Sequence, residues 1–372
     1  MKLTCDREQL LAAFQTASSV APTRSPKPIL QNVKLEATQE AVLLMATDLE
    51  IGIRIQVSGM EVETPGTALL SINRFGPILR ECSGDARLFL ETTQSGTLVR
   101  GERSEFRLPG ENPEEYPTVA PFSEGKHHEL PTRLLRELVR RTLFATDNES
   151  SRYALGGVLL EMTEKRITAV ATDGRRLAKM EGPAHSVGGH QNADTMTIVP
   201  SRAMHLMDRA FFEPDAQVQI SARANDILVS TPRVTIYSRL VEGRFPRWRD
   251  VFPQRQDSQK IELPVGSLYS AVRQAAIVTN DESRGVDFKF GDGMLTLAGE
   301  TADVGKSHVE LPIAYSGPNV AITLDPRYMS DFLKVLDADK MFTLDLKDAE
   351  SAAVCTTDDG YGYVIMPLAR DR

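Results

Sequence analysis

The sequence predicts an α+β chain of three tandem repeated domains, each with two helices packed on antiparallel sheets. Two observations carry that prediction. The first is a phrase that recurs. Ile167 to Ala178 reads as a strand, a turn at Asp173-Gly174 and a returning strand, and Val42 to Leu49 repeats the phrase about 125 residues earlier, ending on Thr47-Asp48 as the later copy ends on Thr172-Asp173. The second is a repeated opening of short strand and helix, with starts at Leu3, Leu130 and Leu263.

Each element follows in order. Lys2 to Thr4 leads into a helix from Asp6 to Ser19, and the alternating Ile51, Ile53, Ile55 and Val57 give a strand after the first turn. Pro131 to Phe144 and Pro264 to Val278 are the corresponding helices of the next two repeats, and Gly291-Asp292-Gly293 is the third hairpin. Every repeat has a second half of the same layout, strand, helix and two strands. These halves open at Ala68, Met196 and Val320, with helices Asn73 to Cys82, Ser201 to Phe211 and Pro326 to Leu336. The polar, proline-punctuated stretch Pro109 to Pro121 marks one boundary, and Val241 to Pro253, which holds the single tryptophan, marks another. The domains are therefore placed at 1–125, 126–255 and 256–372.

A chain of 372 residues with 41% hydrophobic content is long enough for three packed cores. The apolar runs are too short to span a bilayer, and Met1 to Asp6 lacks a signal-peptide pattern, so a cytoplasmic protein without membrane contact is expected. Cys5, Cys82 and Cys355 are scattered and odd in number, which suits reduced thiols. His127-His128 has no matching ligand pair at metal spacing and is read as surface.

Net charge is −8, yet the helices carry arginines: Arg7, Arg74, Arg80, Arg133, Arg136, Arg140, Arg141, Arg202, Arg209, Arg273 and Arg327. Arg133, Arg136 and Arg140 share one helical face, away from Leu134 and Leu138. Clustered cations can attract a polyanion whatever the net charge, although solvated helix faces also carry arginine. The Pro-rich loop Ala21 to Pro28 adds Arg24. No phosphate-binding loop, dinucleotide fingerprint, zinc-protease motif or nucleophile elbow is present. Asp48, Asp173 and Asp358-Asp359 are conceivable metal ligands, but hairpin turns demand Asp at such positions in every repeat. No catalytic residue, metal or cofactor is therefore assigned.

Four motifs carry a resemblance over essentially the whole chain. They are Arg152 to Gly157, Ala171 to Ala178, Glu242 to Pro246 and the ending Tyr363-Val364-Ile365-Met366-Pro367-Leu368. With them the chain resembles the bacterial DNA polymerase III beta-subunit family, the replicative sliding clamps. The resemblance implies DNA-clamp domains that close into a head-to-tail dimeric ring around duplex DNA. It implies a non-catalytic processivity factor that tethers the replicative polymerase subunit, the clamp loader, other polymerases and mismatch-repair or ligase proteins. DNA contacts are implied for Arg24, Arg74, Arg133, Arg136, Tyr153, Arg202 and Arg209. A groove for short apolar-ended peptides is implied for Leu155, Thr172, Gly174, Arg175, Arg176, Leu177, Pro246, Val251, Val364, Ile365, Met366, Pro367 and Leu368. Ring contacts are implied for Arg103, Phe106, Ile277, Val278, Glu300 and Asp303. The chain departs from the family in having Arg175 where His is frequent, Asp250 where a basic residue is frequent, and Tyr153-Ala154 in place of paired tyrosines. An enzyme using the Asp loops and a scaffold that binds no DNA are the rival readings.

Overall fold

The computed structural model describes residues 1–93, 95–147, 153–191, 196–252, 257–280 and 284–368, without the side chain of Tyr153. The helices are α1 (Arg7–Ser18), α2 (Ile72–Glu81), α3 (Thr132–Thr142), α4 (Ser201–Ala210), α5 (Trp248–Val251), α6 (Val265–Ala275) and α7 (Pro326–Lys334). Six of them stand where the sequence predicts helices. The seventh, α5, is a single turn that forms where Trp248 is buried in the expected linker. Caps explain two of the helix starts. Asp6 Oδ1 accepts from Gln9 N at 2.9 Å at the head of α1, and Asp325 Oδ1 accepts from Arg327 N at 2.9 Å at the head of α7. Each helix is followed by three strands and not two. The third is the more charged of each set, as in Glu105–Pro109 after α2.

The chain divides into two compact units, Met1–Arg136 with Ala184–Leu240, and Glu137–Pro183 with Val241–Arg372. The central repeat is thus shared between them, because sheet pairing runs across the repeat limits. In the first unit, Val234–Arg239 pairs antiparallel with Ile51–Val57 inside a nine-stranded sheet. In the second, Arg176–Pro183 pairs antiparallel with Tyr361–Ile365. Smaller sheets complete each unit. Glu105–Pro109 is an edge of the five-stranded sheet in the first, and Gly305–Pro312 is an edge of the four-stranded sheet in the second.

Cores follow the alternation of the strands. Leu3 and Cys5 point inward from Lys2–Asp6, against Leu10 and Phe14 of α1, and the Phe14 ring meets Phe75 of α2 edge-on at 5.1 Å. In the second unit Phe332 of α7 stacks on Tyr361 and Tyr363 at 5.5 and 5.2 Å. All three cysteines are buried and unbridged, and burial pushes the Cys5 thiol up to about 12.

Two expectations are corrected here. Arg7 is not a free helix-face cation: it is 6% exposed and donates to Asp85 O at 3.0 Å and Leu79 O at 3.1 Å. His127 and His128 are not surface residues but are 8% and 0% exposed. They lie on the strand His127–Pro131, flanked on both sides by neighbours. His128 Nδ1 sits 2.7 Å from His190 Nδ1, so one ring donates its proton to the other. Around the pair stand His127, Glu129 and Glu124, with His185 on the adjoining strand and Arg223 held by Asp226 and Glu124. Burial, then the proximity of His128 and His127, holds the His190 pKa below its ordinary value, against the Ala222 carbonyl.

A base with a depressed folded pKa binds fewer protons folded than unfolded, so its stabilising contribution is present above the ordinary histidine value near 6.5 and is lost as pH falls below it. Urea midpoints should therefore drop between about pH 7.5 and about pH 5.5, and a His190→Gln variant should show a flatter profile. A flat wild-type profile would sink this reading.

Candidate nucleic-acid and peptide interfaces

The two repeated turns are built alike. Thr172 Oγ1 accepts from Gly174 N at 3.1 Å and donates to Arg176 O at 2.6 Å, while Asp173 Oδ1 accepts from the amides of Arg175 and Arg176, both at 2.9 Å. Thr47 Oγ1 accepts from Leu49 N at 2.9 Å and donates to Ile51 O at 2.8 Å, and Asp48 Oδ1 accepts from Glu50 N and Ile51 N at 3.0 and 2.7 Å. The second carboxylate oxygens are taken as well, Asp173 by Arg176 Nε at 3.0 Å and Asp48 by Arg202. These aspartates are Asx-type turn residues. Among the described residues no group of three or more His, Cys, Asp or Glu side chains is arranged to hold a metal.

Both turns need one residue in the left-handed region. Gly174 has φ +89° at no cost, whereas Leu49 has φ +80° and is 41% exposed.

The arginines expected at DNA separate into two sets. Arg24, Arg74, Arg133 and Arg209 are exposed, and their guanidinium groups have no ion pair among the described residues. Arg136 reaches Asp208 Oδ1 at 3.3 Å, and Arg202 is tied to Asp48 and donates to Val20 O at 3.1 Å. Arg202, His205 and Arg209 line a recess of about 100 Å³ with Val20 and Ile51, close in sequence to the loop that carries Arg24. Tyr153 begins a single 3-10 turn, and its side chain lies outside the described residues. Arg141, which the sequence groups with the helix cations, is committed instead to Glu137 at 2.7 Å and Asp359 at 2.7 Å.

The expected groove residues all fall in the second unit. Arg176–Pro183 and Tyr361–Ile365 pair in a register that sets Leu177 opposite Val364 and Arg176 opposite Ile365. The ladder extends one step, because Met366 N donates to Arg175 O at 2.9 Å. Alternation then puts Arg175, Leu177, Val364 and Met366 on one face, with Arg176, Ile365 and Tyr363 on the other. That other face lies against α7. Arg176 donates to Asp331 Oδ2 at 2.5 Å and to Phe144 O at 2.8 Å, and its guanidinium lies 4.5 Å from the Tyr328 ring centre. Burial opposes its charge, but Tyr363 and Asp331 hold its pKa above the ordinary value.

The first face is the concave one. Gly362 lies on it, and a Cβ there would come within 2.5 Å of the Phe252 ring, so the missing side chain admits the linker against the sheet. The linker also brings Pro246 and Val251, both exposed. Leu155, Thr172, Leu177, Val364 and Ile365 are buried, so the accessible rim consists of Gly174, Arg175, Pro246, Val251 and Met366, with Pro367 and Leu368 half-buried. Leu368 N donates to Thr323 O at 2.9 Å, which ties the tail down beyond the strand. The bound strand Tyr361–Ile365 is core, and Met366 is where it emerges, 44% exposed.

The expected ring contacts sit at the two sheet edges. Phe106 is half-buried on Glu105–Pro109, and Arg103 is exposed just before it. Ile277 is 75% exposed and Val278 half-buried in the turn after α6, with Glu300 and Asp303 exposed and Glu300 paired to Lys306 at 2.6 Å. One apolar recess was not foreseen. It measures about 370 Å³ and is lined in the first unit by Ala12, Ala13 and Thr16 of α1, with Phe211 and Phe212. About 125 residues on, α3 carries Glu137, Leu138 and Arg141 at the matching positions, so small α1 residues leave the space that larger ones fill.

Comparison with known proteins covers the same ground. The chain matches family models described as the DNA polymerase III beta subunit: N-terminal domain over residues 1–120, central domain over 129–247 and C-terminal domain over 249–369. It is 30% identical to a beta sliding clamp of Pseudomonas putida, over 99% of this chain and 100% of that one. Identity to the Escherichia coli beta sliding clamp is 27% over the same shares. Among solved structures it is similar to a DNA polymerase III subunit beta from Pseudomonas aeruginosa, with a TM-score of 0.89, 28% identity and 100% of both chains covered. A second structure, of a Pseudomonas aeruginosa sliding clamp bound to griselimycin, gives a TM-score of 0.91 at 28% identity and the same coverage.

Leu49 gives a test of the turn analysis. Leu49→Gly relieves a left-handed leucine and should raise stability by about 1 kcal/mol in urea denaturation. A loss of stability would show that the leucine side chain supplies packing that outweighs the strain.

Proposed function

The chain belongs to the DNA polymerase III beta-subunit family, and from that premise we propose that it is a replicative sliding clamp. Two copies join head to tail in a ring around duplex DNA and hold the polymerase to its template. The observation that carries this reading is the placement of charge. In a chain of net charge −8, Arg24, Arg74, Arg133 and Arg209 stay exposed without ion partners, while many other arginines are paired. Such a set attracts phosphate over a short range without reading bases. The protein is an accessory subunit that does no chemistry itself, and the turn duties of Asp48 and Asp173 support that reading. It works in the cytoplasm, with the chromosome. Among the described residues no helix is long and apolar enough to cross a membrane.

Ring closure is assigned to the two free edges, Glu105–Pro109 of one copy against Gly305–Pro312 of the next. An open edge in isolation invites unspecific pairing, and a closed ring removes it. Phe106 meets Ile277 and Val278 across that seam, and Arg103 faces Glu300 and Asp303. The domain limits 1–125, 126–255 and 256–372 follow the repeats. Other proteins dock in the groove of the second unit. Polymerases, the clamp loader and repair or ligase proteins insert short extended segments whose bulky apolar ends lie against Met366, Val251 and Pro246. An unbranched methionine adapts to several related anchors.

Closed circular DNA tests the central claim. Loaded protein should stay on circles and leave rapidly once they are linearised. Direct binding should be weak, with a salt slope of about −0.9 per phosphate neutralised. Equal dissociation from circles and linear DNA would defeat the proposal. Phe106→Glu should yield monomers by sedimentation, and a variant that remains wholly dimeric at nanomolar concentration would remove Phe106 from the seam.

A further inference from the structure

One charge at the groove has no partner. Asp173 is paired with Arg176, and Arg176 also holds Asp331. Glu161 is held by Arg249 at 2.6 Å, and Asp250 by Arg247 at 3.3 Å. Glu242 and Arg244, both exposed on the linker, are of opposite sign. Arg175 is exposed, and its side chain has no ion pair among the described residues.

Its main chain, by contrast, is locked. Arg175 N donates to Asp173 Oδ1 at 2.9 Å, and Arg175 O accepts from Met366 N at 2.9 Å. Directly opposed residues on paired strands bring their Cβ atoms within about 5.5 Å on one face, so the free guanidinium stands beside the exposed Met366. We propose that the groove selects peptides that place a carboxylate next to their apolar pair, with Arg175 as the selecting charge. The proposal rests on the peptide-groove reading and names the class of partner that fits it.

The physics favours one sign of charge. An anchor seated against Met366 excludes water around the guanidinium, and lower local polarity strengthens an ion pair there. The rigid base of Arg175 means that little beyond its own side chain has to be ordered on pairing. A peptide lysine at the same place meets a like charge and gains no partner, since the nearby carboxylates are already engaged.

Anisotropy titrations of the full chain use three labelled peptides, Gly-Ser-Asp-Leu-Phe, Gly-Ser-Asn-Leu-Phe and Gly-Ser-Lys-Leu-Phe. At low salt the Asp peptide should bind about fivefold tighter than the Asn peptide, the Lys peptide weakest, and the spread should shrink near 0.5 M salt. Arg175→Gln should bring the three together, and Arg175→Glu should reverse their order. Met366→Ser separates the two levels of the argument by weakening all three peptides alike. If Met366→Ser weakens binding but the Asp and Lys peptides bind wild type equally, the selection is wrong and the groove stands. If no peptide binds, or Met366→Ser changes nothing, the groove reading fails and the selection with it. A preference for Asp that survives in Arg175→Gln assigns the charge to another residue and overturns the proposal.

Discussion

The pairing of Arg176–Pro183 with Tyr361–Ile365 is the constraint on which the second unit depends. It joins a strand from the middle of the chain to the last strand, and it makes that last strand core. The pairing requires a guanidinium to be buried at its first residue. A buried charge without partners costs several kcal/mol, so Arg176 is met by Asp173, Asp331, the Phe144 carbonyl and the Tyr328 ring. Those contacts reach the turn, α7 and the segment after α3 at once. Remove them and the register that brings Arg175 opposite Met366 has nothing to hold it.

Local structure was legible in the sequence wherever one period dominates. Six helices, the repeated Thr-Asp turn and the three repeats follow from apolar spacing and turn chemistry, because each is decided within a dozen residues. Pairing across the repeats was not legible. Periodicity says that Ile51 to Val57 forms a strand with one buried face, but the partner Val234–Arg239 is chosen by packing far along the chain. The same limit hid the histidines. His127-His128 reads as polar, and only the arrival of His190 from another strand gives His128 a partner inside the core. Arg7 was misread likewise, since its acceptors at Leu79 and Asp85 come from the second half of the repeat.

The site was half legible. Resemblance pointed to the residues around Arg175 and Met366, while alternation in the observed register separates those on the concave face from those beneath α7. No inspection of the sequence distinguishes Leu177 from Arg176 in that respect, since both sit in one motif. Burial matters equally. Val364 and Ile365 are apolar and adjacent to Met366, yet they are 1% and 0% exposed and serve as floor or core.

The two interfaces make opposite demands, and the chain meets them with opposite construction. A ring that must slide gains nothing from ordered contacts to its track. Long arginines that project from helices, solvated and unpaired, supply attraction without register. A docking groove must return the same shape to each partner. Its rim is therefore set on main-chain hydrogen bonds at Arg175, Met366 and Leu368, with Phe252 wedged over Gly362. Preorganised backbone leaves only side chains to be ordered on binding. Arg175 belongs to both regimes, a free cation on a fixed base. This is why charge at that one position can discriminate between partners without loosening the groove.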